Sequence, residues 1–79
     1  MSKRLEQMRQ NPRADWTIED VIAVCREFDL LCQPPRGGGS HYGVGHPRVA
    51  RKITIPSRRP IKPVYIKMLV SFIDAARHP

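Results

Sequence analysis

The chain has 79 residues, 41% of them hydrophobic and 27% charged, with 14 Lys/Arg against 7 Asp/Glu for a formal net charge of +7. That length allows one small domain burying only about 60% of its unfolded surface, which excludes large multi-substrate chemistry. No run approaches the ~18 apolar residues of a membrane span, and Met1-Ser2-Lys3-Arg4-Leu5-Glu6 lacks the apolar stretch of a signal peptide, so a soluble, cytoplasmic protein with no membrane partner is expected.

In chain order, Ser2 to Gln10 reads as a short helix whose apolar face is only Leu5 and Met8, broken by Asn11-Pro12, and it has the character of an appended arm. Thr17 then caps a stronger helix, with Asp20 at its third position and Trp16 and Val21 as a hydrophobic staple. Ile18, Val21, Ile22, Cys25 and Phe28 form its apolar stripe. Leu30-Leu31-Cys32-Gln33 is a short extended run closed by Pro34-Pro35 and a glycine turn. A second strand is predicted from Ser40 to His46, with Tyr42 and Val44 facing the core and His41 on the open face. A third, from about Ala50 to Ile55, turns Ile53 and Ile55 inward and Lys52 and Thr54 outward. Pro56, Pro60 and Pro63 stiffen a basic connector, and Pro63 opens a last helix with Ile66, Leu69, Val70 and Ile73 in one stripe, widened by Tyr65, Met68 and Phe72. That apolar face exceeds what three strands need; the excess is either core or a docking surface for another protein. Helix, three antiparallel strands, helix, with both helices on one sheet face, is the α+β layout of a double-stranded-RNA-binding-like domain. The chain thus divides into an N-terminal helical extension over residues 1–14 and a domain over residues 15–79.

Charge is distributed unevenly along this plan. Residues 1–33 carry five basic against six acidic side chains, and residues 34–79 carry nine against one. From Leu30 to Ile73 there is no Asp or Glu, a pattern that points to a polyanion, most often nucleic acid. A two-metal nuclease needs several converging carboxylates, and the basic half has only Asp74. Cys25, Cys32, His41 and His46 lack the short spacings that pin a tetrahedral metal, so no metal or cofactor is expected, and the two thiols should be reduced.

Gly37-Gly38-Gly39-Ser40-His41 brings bare backbone to one imidazole inside the basic stretch. An imidazole titrates near neutral pH and can accept the 2′-hydroxyl proton of RNA, letting that oxygen attack its own phosphate. His41 is the candidate base. Arg36, Lys52 and Lys62, followed by Arg51, Arg58 and Arg59, are the candidate phosphate ligands, together with the turn at Gly39 and Ser40. His46 should point to the other face, and His78 lies at the far end of the last helix.

The sequence resembles a known family at Gly39-Ser40-His41-Tyr42, His46-Pro47, Ile53-Thr54-Ile55-Pro56 and Pro60-Ile61-Lys62-Pro63. In their order and spacing these are similar to HicA-type (YcfA-like) toxins of bacterial toxin–antitoxin systems, over about Trp16 to Arg77. The run from Lys3-Arg4-Leu5-Glu6 to Asn11-Pro12 resembles the extension of a subgroup. The resemblance implies a type II toxin acting as a metal-independent mRNA interferase, with the motif histidine at His41 and with a HicB-type antitoxin as partner in a hetero-oligomer. Two segments depart from the family pattern: Gly43-Val44-Gly45 replaces bulky strand formers, and Pro34 to Gly38 is looser than the usual lead-in strand. The alternative readings are a non-catalytic RNA-binding module and a decayed toxin acting only through protein interaction.

Overall fold

In the computed structural model, which describes residues 2–78, the elements run α1 (Lys3–Gln10), α2 (Ile18–Glu27), β1 (Leu31–Gln33), β2 (His41–His46), β3 (Val49–Pro56) and α3 (Pro63–Arg77). A single 3-10 turn, Arg36–Gly38, lies between β1 and β2. The strands form one antiparallel sheet in the order β1-β2-β3, so the chain is α+β.

Local chemistry sets the ends of α2. The Asp20 N–H donates to Thr17 Oγ1 at 3.3 Å, and the Thr17 N–H donates to the Asp20 carboxylate at 3.0 Å, a reciprocal capping box. At the other end Asp29 adopts φ 59°, the Leu30 N–H reaches the Cys25 carbonyl at 2.8 Å and the Asp29 N–H reaches Arg26 at 3.3 Å. This is a Schellman motif with aspartate where glycine is usual, and it turns the buried Leu30 back onto Cys25. Cys25 and Cys32 are free thiols; the neighbouring Cys32 thiol and burial both raise the Cys25 pKa, while Cys25 lowers that of Cys32 against the opposing effect of burial.

The inner face of the sheet presents Val44, Ile53 and Ile55 to Val21, Val24 and Cys25 of α2 and to Ile66, Leu69, Phe72 and Ile73 of α3 in one core. Val24, which the predicted stripe of α2 omits, is fully buried. The N-terminal extension is docked: α1 packs against both α2 and α3, and Leu5 and Met8 are 2% and 0% exposed. Full burial of two such side chains contributes roughly 1.5–3 kcal/mol each. Here α1 covers part of the wide apolar face of α3, whose exposed large apolar residues are Val64 and Met68, at 55% and 37%.

The connector from Ser57 to Lys62 is tied across the molecule. The Ile61 N–H donates to the Trp16 carbonyl at 2.8 Å, Trp16 Nε1 donates to the Asn11 carbonyl at 2.9 Å, and Ile61 is buried. Its Arg59–Pro60 peptide bond is cis.

Candidate functional site

His41 begins β2 and faces Pro56 at the end of β3, on the side of the sheet away from the helices, and it is exposed. Two constraints hold the backbone there. Gly37 and Gly38, at φ 68° and 81°, take the left-handed conformation that folds the chain back after Pro35. The Ser57 N–H then donates to the Ser40 carbonyl at 2.7 Å, fastening the start of β2 to the start of the connector. Ser40 Oγ lies 3.4 Å from His41 Nδ1, and no carboxylate contacts the ring among the described residues.

Alternation along β2 holds as the sequence predicts, with Tyr42 and Val44 inward and His41 and Gly43 outward. Gly43 sits between Gln33 of β1 and Thr54 of β3, and a Cβ added there would meet no atom within 4 Å. Gly45 is buried beneath the Lys52 side chain, whose carbons lie 3.7–4.0 Å from where its Cβ would be. The open face therefore presents bare backbone at Gly43, while Lys52 covers Gly45. The register shifts beyond Val44: one residue of β2, Gly45, is matched by Ala50, Arg51 and Lys52 of β3, a bulge at the glycine.

The structure separates the candidate phosphate ligands. Lys52 shares the open face with His41 but lies over Gly45, about 13 Å further along β2 at ~3.3 Å per residue. Arg51 turns the other way, lining a groove with Val64, Lys67 and Met68 of α3. Arg36 is exposed in the 3-10 turn that leads into His41. Arg59 is held by Asp15, with Nε to Oδ1 at 3.0 Å; this hydrogen bond lowers the Asp15 pKa and raises that of Arg59. Arg58 and Lys62 have no carboxylate partner among the described residues, and both line a notch of about 520 Å³ with Pro56, Arg59, Pro60 and Tyr65. The connector that carries Arg58, Arg59 and Lys62 is tied to the start of β2 by the pairing of His41 with Pro56 and by the bond from the Ser57 N–H to the Ser40 carbonyl.

His46 serves the turn: its Nδ1 accepts from the Arg48 N–H at 3.1 Å. His78 caps α3. Asp74 gives both carboxylate oxygens to Arg9, and Asp20 and Glu27 face Arg4. Among the described residues no three His, Cys, Asp or Glu converge as a metal site. Tyr65, which periodicity alone assigns to the core stripe, is half-buried, with one side on the core and another lining the notch. The signal for it is its place three residues after Lys62, in the first turn of a helix entered from a basic connector.

Compared with family models, with curated proteins and with solved structures, the chain matches none of them.

Proposed function

We propose that this chain is a metal-independent endoribonuclease of the HicA type, with a double-stranded-RNA-binding-like fold, an mRNA interferase held in check in the cytoplasm by a HicB-type antitoxin. The observation that carries the reading is an exposed imidazole at the start of β2, on the helix-free face, flanked by a glycine turn and by a connector whose Arg58 and Lys62 have no carboxylate partner among the described residues. His41 takes the proton of a ribose 2′-hydroxyl. The freed oxygen attacks the adjacent phosphorus, the bond from phosphorus to the 5′ oxygen breaks, and that oxygen takes a proton from solvent. The products are a 2′,3′-cyclic phosphate and a 5′-hydroxyl. Cations and turn amides stabilise the charge that builds on the phosphoryl oxygens.

The test is incubation of the purified protein with single-stranded RNA and with DNA of the same sequence in EDTA. RNA should be cut, DNA should survive, and His41→Ala should abolish cutting while its circular dichroism stays unchanged. Cutting that needs Mg²⁺, or that survives His41→Ala, overturns the reading.

A second reading, RNA binding without cleavage, is favoured by one observation: among the described residues no carboxylate orients His41, and Ser40 Oγ lies 3.4 Å from its Nδ1. It predicts steeply salt-dependent RNA binding that His41→Ala leaves unchanged. A role in protein interaction only would show a partner complex and no RNA affinity even at low salt.

A further inference from the structure

Beyond the imidazole, a second place where charge and aromatic surface meet is the notch between the connector and the first turn of α3. Its lining combines two kinds of group. Arg58 and Lys62 are exposed cations with no acidic partner among the described residues, while Tyr65 and Pro56 supply flat apolar surface. Arg59 on the same rim is already neutralised by Asp15, so the notch has cationic sites on one part of its wall and not all round. A bare inorganic anion would need only the cations. A lipid tail or an apolar peptide would gain nothing from them. A nucleotide uses both, with its base against the aromatic ring and its phosphate on the cations, the combination by which single strands are gripped without base-specific readout.

Position adds to composition. Pro56 belongs to the notch and is also the ladder partner of His41, and Ser57, the next residue, is hydrogen-bonded to Ser40. A strand whose phosphate reaches His41 has its neighbouring nucleotide beside this wall. The connector holding the wall is anchored by the buried Ile61 and its bond to Trp16, so the pocket is formed in advance of any ligand.

We propose that this notch is a nucleotide subsite for single-stranded RNA, seating one base against Tyr65 and its phosphate on Arg58 and Lys62, next to the phosphate at His41. The subsite rests on the endoribonuclease reading for its placement next to a scissile bond, but not for its ability to bind.

The test uses the full-length His41→Ala chain and two fluorescein-labelled probes of eight nucleotides, an oligouridylate and an abasic ribose-phosphate oligomer, followed by anisotropy over a salt series. Tyr65→Leu should weaken the oligouridylate about tenfold or more, leave the abasic probe within twofold and keep the salt slope. Tyr65→Phe should bind as the parent does. Arg58→Ala and Lys62→Ala should weaken both probes and lower the salt slope by about 0.7 each. Because Tyr65 touches the core, a 4-thiouridine probe photo-crosslinked to the unsubstituted ring provides a measurement independent of folding, with adducts expected at residues 63–67. Parent-like binding by both Arg58→Ala and Lys62→Ala, equal losses for the two probes on Tyr65→Leu, or adducts confined to the opposite end of the sheet overturn the proposal. The two readings fail separately. Crosslinking at Tyr65 by a His41 chain that never cuts RNA removes the nuclease and keeps the subsite, whereas cutting with adducts elsewhere removes the subsite alone.

Discussion

Arg9 and Asp74 join α1 to α3 through two parallel hydrogen bonds, Nη1 to Oδ2 at 2.8 Å and Nη2 to Oδ1 at 2.9 Å. The one acidic residue of the basic half is thereby taken by the N-terminal extension, and this bond lowers the Asp74 pKa. A carboxyl with a depressed folded pKa adds stability that is complete above the ordinary aspartate range and is lost as pH falls below it. Asp74→Asn should cost about 0.5–1 kcal/mol at pH 7, the pair being partly exposed and screened. Urea melts should show that difference shrinking on acidification; an equal cost at pH 7 and at pH 2 would refute the assignment.

Docking of α1 makes a prediction about the extension as a whole. Leu5→Ala or Met8→Ala should destabilise by about 2–4 kcal/mol, the range for emptying a closed core site. Thermal denaturation measures it. A loss under about 0.5 kcal/mol for both, the scale of surface changes, would mean that the extension lies free in solution.

Gly43 separates stability from binding. Its backbone needs no positive φ and the space above it is open, so Gly43→Ala should raise stability by about 0.5–1 kcal/mol through the unfolded chain. If a nucleic acid strand lies across the open face at Gly43, the same methyl group should weaken RNA binding. Gains in both quantities would place the strand elsewhere.

Asp15 offers a gain-of-affinity test. Asp15→Asn releases the Arg59 guanidinium and removes a negative charge at the rim of the notch. RNA affinity should rise, and the slope of log affinity against log salt should steepen by up to about 0.7 for the added phosphate contact. An unchanged slope would show that Arg59 stays out of reach of RNA even when free.

What could be read from the sequence was what nearest neighbours decide. Thr17 with Asp20, Pro63 at the first helical position and the inward Ile53 and Ile55 follow from rules spanning two to four residues, and all stand where those rules put them. The face of His41 follows from the same alternation. What escaped depends on partners far along the chain: Arg9 meets Asp74 across 65 residues and Arg59 meets Asp15 across 44. The site was legible to the same extent. Placing Lys52 on the correct face needed only parity, but its distance from His41 depends on how the strands run past one another. Arg51 has the parity of the inward Ile53 and Ile55, so alternation itself turns it toward α3 and away from Lys52 and His41. Tyr65 was hidden because helical periodicity sorts residues into inside and outside and has no category for a ring that is half of each.

The outer position of β3 carries a consequence for crowding. Its eight residues line one margin of the sheet, where unsatisfied amides and carbonyls invite a second copy to add on edgewise. Arg51 and Lys52 stand on that margin, exposed, and the bulge beside them distorts it, so two copies approaching in this way meet like charge on a bent template. The same positive charge thus keeps the molecules apart, and titrating it away with a short anionic polymer should bring on self-association.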